Sequence, residues 1–292
     1  MESLIYDENQ VKKFYKEIVA HFPMGPFDAD FFCVAARKKY MTQEDRERTK
    51  LGDTTLLEKT PLRENNEEIF LHKLQKVDAC LDHLYSHCGA RIPRECMVFY
   101  MNVNHTNMIN ALKNLKIDIA VMEGELYDVF MKKGSQENIG NKIKRLDNIT
   151  LKEYQDPKNV GKRRWIDIDM DISTDLISGD EVTKALDEGL AKKEVPDFKI
   201  RCPYNIIQTR GGYHILVNTD MISLHNDAWA DYVKAHNGHN FKERIRSVKD
   251  FLDALEDLVK GKGIEAKEIK INQNAMVPIP GTLQGGIPVI MY

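Results

Sequence analysis

The segment from Trp165 to Asp171 places the tightest constraint on how this chain can fold. Its odd and even positions hold different kinds of residue. The odd positions are Trp165, Asp167, Asp169 and Asp171, and the even positions are Ile166, Ile168 and Met170. Successive side chains of a β-strand point to opposite faces of the sheet. The pattern therefore predicts a strand over residues 164–170 with one apolar face and one face that carries carboxylates.

Three carboxylates on one face of a strand repel one another, and aspartate is a poor strand former. A divalent cation would neutralise them, and hard oxygen ligands favour Mg²⁺ or Mn²⁺ over zinc. We therefore predict that Asp167, Asp169 and Asp171 are metal ligands. The alternative is an acidic edge strand facing solvent, because half-buried antiparallel strands also alternate apolar and polar residues.

A second motif, Thr209 to Val217, places a pair of glycines and a histidine beside another predicted strand. Gly211 and Gly212 let the backbone approach a ligand closely, or simply form a hairpin turn. Arg210 and His214 flank this pair, and both side chains can donate hydrogen bonds to phosphate. We predict a nucleotide-binding site here, with a structural role for the histidine as the alternative.

The remaining sequence alternates predicted helices and strands, which indicates an α/β or α+β protein. Helical spacing and short apolar runs give the boundaries. The predicted elements are a helix around residues 11–22, a strand at 31–36, a helix from 67, a strand at 97–103, a helix at 179–193, strands at 204–208 and 213–217, a helix at 241–260 and a strand-like segment at 269–292. A polar stretch at about 132–161 separates an N-terminal α/β half (1–157) from the metal- and nucleotide-binding half (158–292).

Composition narrows the class of protein further. The chain has 292 residues, is 42% hydrophobic and has a mean hydropathy of -0.46, which is typical of a globular protein. Its apolar runs fall short of the roughly 20 residues of a membrane-spanning helix, and an acidic N-terminus is unlike a signal peptide. Five scattered cysteines, an odd number, favour a reducing compartment. We expect a cytoplasmic protein with no membrane partner.

Overall charge gives no reason to expect nucleic acid, since 42 basic residues against 45 acidic ones leave a net charge of -3. The distribution is less even, with basic clusters along the chain. We take two of them as candidate nucleic-acid contacts, although a solvated helix face is the alternative for any one cluster. The candidate residues are Arg37, Lys38, Lys39, Arg163 and Arg164.

Taken in order, the Asp-x-Asp strand, the Gly-Gly-x-His turn and the Pro-Gly-Thr segment at residues 280–282 resemble the motifs of the archaeo-eukaryotic primase superfamily. That superfamily includes primase-polymerases of phages and plasmids. The motifs lie within residues 165–282. The resemblance implies an α+β fold, namely a primase-polymerase-like catalytic core with a mixed or antiparallel sheet and flanking helices.

The resemblance also implies an activity, that of a primase or DNA polymerase of DNA replication. Such a DNA-directed nucleotidyltransferase joins nucleotides on a single-stranded template with two metal ions. By this resemblance Asp167 and Asp169 are catalytic metal ligands and His214 contacts the triphosphate, with Arg210 beside it. The implied partners are nucleoside triphosphates, a single-stranded DNA template and a separate helicase, because the sequence has no Walker motif.

The sequence departs from this family at the third motif, where a later strand supplies another aspartate. Residues 269–276 contain none, so Asn272, Asn274 or the upstream Glu268 would have to serve, and Glu268 is the carboxylate we assign to metal. An amide offers one neutral acceptor, so we expect a weak second metal, slow catalysis and a preference for Mn²⁺. The alternative function is a non-catalytic nucleotide- or nucleic-acid-binding relative with an incomplete metal site.

Overall fold

A computed structural model describes residues 3–62, 66–131, 159, 161, 164–191, 204–219, 248–272 and 276–292. Its strands are β1 (Asp28–Arg37), β2 (Thr54–Leu62), β3 (Met97–Asn102), β4 (Thr106–Asn107), β5 (Trp165–Met170), β6 (Tyr204–Gln208), β7 (Tyr213–Asn218), β8 (Ile269–Asn272), β9 (Met276–Pro278), β10 (Leu283–Gln284), β11 (Ile287–Pro288) and β12 (Ile290–Met291). Its α-helices are α1 (Glu8–Phe14), α2 (Gln43–Thr49), α3 (Glu67–Cys80), α4 (Met108–Met131), α5 (Gly179–Ala191) and α6 (Val248–Gly261). The protein is therefore α+β, as expected.

The first sheet is antiparallel, with the order β2-β1-β3-β9, and the short β4 pairs with β1. Helices α1 and α3 cover one of its faces with residues at helical spacing, and these side chains meet Phe32 and Val34 in a fully buried core. Strand β9 comes from the C-terminal part of the chain. The predicted boundary between residues 157 and 158 lies outside the described residues.

The second sheet is also antiparallel, with the order β12-β6-β7-β5-β8. The apolar face of β5 packs Ile168 and Met170 against α5 and α6. The opposite face contributes Trp165 and Leu216 to the core of the first sheet. Because β5 lies between β7 and β8, the interpretation of this segment as an acidic edge strand is wrong.

Several elements differ from the sequence predictions. Helix α3 ends at Cys80 and is followed by a single 3-10 turn, Leu81–His83, so it is shorter than its apolar periodicity suggests. Helix α5 begins at the predicted Gly179. Helix α6 is described only from Val248, and residues 241–247 of its predicted span lie outside the described residues. Patterns of apolar residues did not reveal α2, α4 or β2.

Those missed elements have identifiable local causes. Helix α2 rests on its caps, because Thr42 Oγ1 accepts a hydrogen bond from Asp45 N and Lys50 ends the helix with a φ of 52°. Strand β2 contains Pro61, which an edge strand tolerates and an interior strand does not. Helix α4 leaves Ile117 and Val121 exposed, so its pattern does not mark one buried face. Across the described residues, no helix is long and apolar enough to cross a membrane.

Asn104 connects the two sheets at the start of β5. Its side-chain Oδ1 accepts hydrogen bonds from Arg164 N and Trp165 N, both at 2.9 Å, and its Nδ2 donates to Trp165 O at 2.9 Å. Asn102 Nδ2 donates to the Asn104 carbonyl at 2.8 Å. Trp165 Nε1 adds a bond to Ile18 O at 3.3 Å. The amide of Asn104 thus replaces a neighbouring strand at the point where β5 begins.

We predict that Asn104→Ala destabilises the protein by at least about 2 kcal/mol. A buried polar group left without a partner costs roughly 1–3 kcal/mol, and in this variant Arg164 N, Trp165 N and Trp165 O would each lose the hydrogen bond to the Asn104 side chain. Urea unfolding measures this change, with the exposed Asn110→Ala as the matched control. Equal stabilities of the two variants would contradict the role of Asn104.

Candidate functional site

The second sheet brings two of the predicted aspartates and the predicted histidine together. Antiparallel pairing sets Asp169 directly opposite His214 of β7, and Asp167 lies between Leu216 of β7 and Asn272 of β8. Residues that face each other in this way share one side of the sheet. The acidic motif and the Gly-Gly-x-His motif therefore form one site, on the side that faces the first sheet.

Asp167 is the most enclosed member of this site, since its side chain is 0% exposed. His214 Nδ1 lies 3.1 Å from its Oδ1 and 3.2 Å from its Oδ2. Asn272 Nδ2 donates to Oδ2 at 3.0 Å. A buried carboxylate is tolerated only when it is paired and hydrogen-bonded, and these two side chains supply both conditions.

Asp169 and Asp171 are more open to solvent, with side chains 29% and 50% exposed. Burial raises the pKa of Asp169, His214 opposes that change, and Asp171 and Asp167 raise the pKa further. Lys270 Nζ approaches Asp171 Oδ2 at 3.7 Å. The raised pKa of Asp169 therefore reflects burial first, and the two neighbouring carboxylates add to it.

His214 carries the compensating charge at the centre of the site. Burial disfavours its charged form, but contact with Asp167 and the nearby Asp169 and Asp171 outweigh burial and raise the pKa of the imidazole. Its Nδ1 is 3.9 Å from Asp169 Oδ1 as well as 3.1 Å from Asp167 Oδ1. The imidazole nitrogen thus lies at the position that the two carboxylates share.

Lys39 of the first half lies close enough to these carboxylates to interact with them electrostatically. Burial and the charges of Arg37 and Arg210 lower the pKa of Lys39, whereas Asp171 and Asp169 raise it. Lys39 also lies close to the turn, because a Cβ built on Gly211 would be 3.8 Å from Lys39 Nζ. We call Arg37, Lys39 and Arg210 the basic cluster, and it draws one residue from the second half of the chain and two from the first.

Tyr40 and Gln284 fix the basic cluster in place. The Arg210 guanidinium lies over the Tyr40 ring at 4.8 Å, and Arg210 N donates to Gln284 Oε1 at 2.9 Å. Arg37 donates from an Nη to the Tyr100 hydroxyl at 2.8 Å. In the described part of the chain, Arg37 Nε and the Tyr40 hydroxyl are buried polar atoms without a hydrogen-bond partner. Such donors are suited to an anionic ligand.

The turn between β6 and β7 is a hairpin, as one of the two interpretations expected. Gly212 has a φ of 150°, and a Cβ there would overlap the Met170 carbonyl at the end of β5. Gly211 N donates to Thr209 Oγ1 at 3.2 Å. Gly212 therefore has a packing role in the hairpin that carries Arg210 and His214. Binding of nucleotide by the backbone of the two glycines stays a prediction.

The other predicted residues lie at varied distances from the site. Glu268 pairs through its backbone with Asp171, whose N–H donates to Glu268 O at 3.0 Å, so Asn272 rather than Glu268 contacts Asp167. Arg164 stacks on Phe22 at 4.6 Å, and Lys38 belongs to a 3-10 turn after β1. Arg163 and Asn274 lie outside the described residues.

The donor set suits a hard cation better than zinc. Within the described ranges, no three His, Cys, Asp or Glu side chains are clustered as a ready metal site. Asp167 and Asp169 nevertheless converge on the His214 nitrogen, so a cation near that point would be shared by two carboxylates with Asp171 nearby. Carboxylate oxygens are the ligands that Mg²⁺ and Mn²⁺ prefer.

No protein-family model, curated protein or solved structure matches this chain.

The sequence predicts nucleic-acid contacts for the basic triplet at residues 37–39, and no local pattern shows that Lys39 lies near the aspartates. The sequence patterns also missed Tyr40, Tyr100 and Gln284. Their pairing with Arg37 and Arg210 joins positions up to 74 residues apart, and no local pattern reports such contacts. Gln284 lies two residues after the Pro-Gly-Thr segment, and that segment is the nearest sequence motif to it.

We predict that His214 stabilises the folded protein most at low pH. Its pKa is raised on folding, so its contribution is complete below the unfolded value of about 6.5 and is lost as the pH rises through the folded value. His214→Asn keeps a donor near Asp167 but cannot carry the charge. Urea unfolding in EDTA, from about pH 5 to about pH 8, measures the unfolding free energy of the wild type and of His214→Asn. We expect the wild type to be more stable at low pH and the difference between the two proteins to narrow as the pH rises. A constant difference would exclude this contribution of charge.

Proposed function

We propose that this protein is a metal-dependent nucleotidyltransferase of the primase or primase-polymerase type, which joins nucleotides on a single-stranded DNA template. The observation that carries the proposal is that Lys39 of the basic cluster interacts electrostatically with Asp169 and Asp171, the carboxylates that also act on His214. Carboxylates for a divalent cation and cations for phosphate lie side by side there. Nucleotidyl transfer needs this combination, because the substrate is a triphosphate bound together with metal.

Each side chain has a distinct part in the proposed reaction. Asp167 and Asp169 would hold the cation, and His214 and Arg210 would bind the phosphates next to it. Lys39 and the free Nε of Arg37 would neutralise the outer phosphates and hold the triphosphate in one orientation. When bound, Mg²⁺ or Mn²⁺ activates the attacking 3′ hydroxyl and stabilises the leaving pyrophosphate.

The template and the helicase are part of the same proposal. Lys38 and Arg164 are the basic side chains in the described ranges that were predicted to contact nucleic acid and do not belong to the basic cluster. They remain candidates for the template backbone. A separate helicase would open duplex DNA, because the chain has no Walker motif of its own.

One observation favours a second candidate function. Asp167 is buried, and both of its oxygens already accept hydrogen bonds from protein side chains. A site stabilised in this way can bind a nucleotide or nucleic acid without transferring nucleotides. The second candidate is therefore a non-catalytic relative that keeps the anion site.

Incorporation of labelled nucleotides on single-stranded DNA distinguishes the two candidates. We expect slow, template-dependent synthesis or primer extension that is faster with Mn²⁺ than with Mg²⁺, and no incorporation by Asp169→Ala. Ribonucleotides and deoxyribonucleotides are supplied in separate reactions. If the protein binds nucleotide or DNA but incorporates no nucleotide with either metal, the result would favour the non-catalytic candidate over the enzyme.

We also predict that Lys39→Ala weakens binding of a nucleoside triphosphate by about ten-fold or more, since charged hydrogen bonds contribute about 1.5–3 kcal/mol. Isothermal titration calorimetry measures the dissociation constant. Lys184→Ala on α5 removes the same charge from an exposed side chain and is the control. If both variants bind as the wild type does, the basic cluster is not the phosphate site.

A further inference from the structure

Asn272 has a specific relation to the metal ligands that the proposed function does not require. It is directly opposite Asp167 in the β5–β8 pair. Its Nδ2 points to Asp167 Oδ2 at 3.0 Å, so the side chain presents a hydrogen-bond donor to the carboxylate. A metal ligand at this position would have to present an oxygen instead.

The hydrogen bond from Asn272 Nδ2 also limits which oxygen of Asp167 is available to a cation. Asp167 Oδ2 lies within hydrogen-bond distance of Asn272 and His214, whereas among the described residues Oδ1 has only His214 as a partner. A cation that displaces the imidazole can therefore use Oδ1 of Asp167 together with Asp169. A second cation on the β8 side of Asp167 would find an amide N–H₂ group, and β8 itself (Ile269–Asn272) carries no carboxylate.

From these contacts we propose that the site takes one divalent cation per chain in the absence of nucleotide, because position 272 supplies a neutral amide where a second cation would need a carboxylate. This inference rests on the proposed function, which assigns the metal site to Asp167 and Asp169. It concerns cation number alone, and it holds or fails whether or not nucleotides are incorporated.

The position of Asn272 gives a physical reason for this arrangement. Like charges directly opposite each other in a sheet are destabilising, and Asp167 is already fully buried. An aspartate at 272 would place a second carboxylate against it and would need a cation to be tolerated. A neutral amide at 272 avoids that repulsion, so the sheet does not need a metal ion at this position. In exchange, the site lacks the carboxylate that would bind a second cation.

The experiment titrates MnCl₂ alone into the full-length protein after removal of metal with EDTA. Calorimetry gives the number of sites, and the electron paramagnetic resonance signal of free Mn²⁺ checks it independently. We expect one site in the wild type and two in Asn272→Asp. Asn272→Ala removes the donor without adding a carboxylate and should keep one site. Asn205→Asp places the same charge on β6, separated from Asp167 by β7, and should also keep one site.

A second measurement covers the stability of Asn272→Asp. We expect this variant to melt at a lower temperature than the wild type in EDTA, and to gain more from saturating Mn²⁺ than the wild type does. Should it fail to fold under any condition, the wild type and Asn272→Ala decide the matter, because one site in both supports the proposal and two in either overturns it.

The remaining outcomes are also decisive. Two sites in the wild type, one in a folded Asn272→Asp, or two in Asn205→Asp would overturn the role of Asn272. No site in the wild type would overturn both this inference and the assignment of Asp167 and Asp169 as ligands. One site in the wild type and two in Asn272→Asp, without nucleotide incorporation, would support the inference while removing the proposed enzyme.

Discussion

The pairing of the buried Asp167 with His214 and Asn272 is the interaction on which the rest of this site depends. A carboxylate with no exposure in the middle of a sheet is costly unless its oxygens are hydrogen-bonded and its charge is balanced. Both partners come from the strands next to β5, one on each side. The raised pKa of the imidazole and the neutral, hydrogen-bonding side chain at 272 both meet this requirement.

The two faces of β5 show how one strand can serve both packing and chemistry. On its apolar side, Ile168 and Met170 pack against α5 and α6, which anchors the strand without using the carboxylates. On the acidic side, Trp165 packs into the core of the first sheet, and Asn104 holds the backbone at the same point. The carboxylates that follow are therefore presented from a fixed strand. The basic side chains near them come from other elements of the chain.

Much of this arrangement could be predicted from local sequence. Alternation located β5 and its two faces, and the glycine pair located the hairpin that carries Arg210 and His214. Both are short-range signals. The contact of Asn272 with Asp167 joins residues 105 positions apart, and the approach of Lys39 to Gly211 spans the two halves of the chain. Such contacts depend on how strands pair and sheets pack, so no motif at either position reveals them.

The basic cluster illustrates why the site needs both halves of the molecule. Arg37 is the last residue of β1 in the first sheet, Lys39 follows that strand, and Arg210 precedes β7 of the second sheet. Three cations so close together repel one another, which is part of the reason that the pKa of Lys39 is lowered. Tyr40 lies under Arg210, Tyr100 binds Arg37, and the hairpin of β10 and β11 holds Arg210 through Gln284 and Gly285. The structure therefore maintains a repulsive group of cations beside a repulsive group of carboxylates, and a ligand that carries both a divalent cation and several phosphates would relieve both.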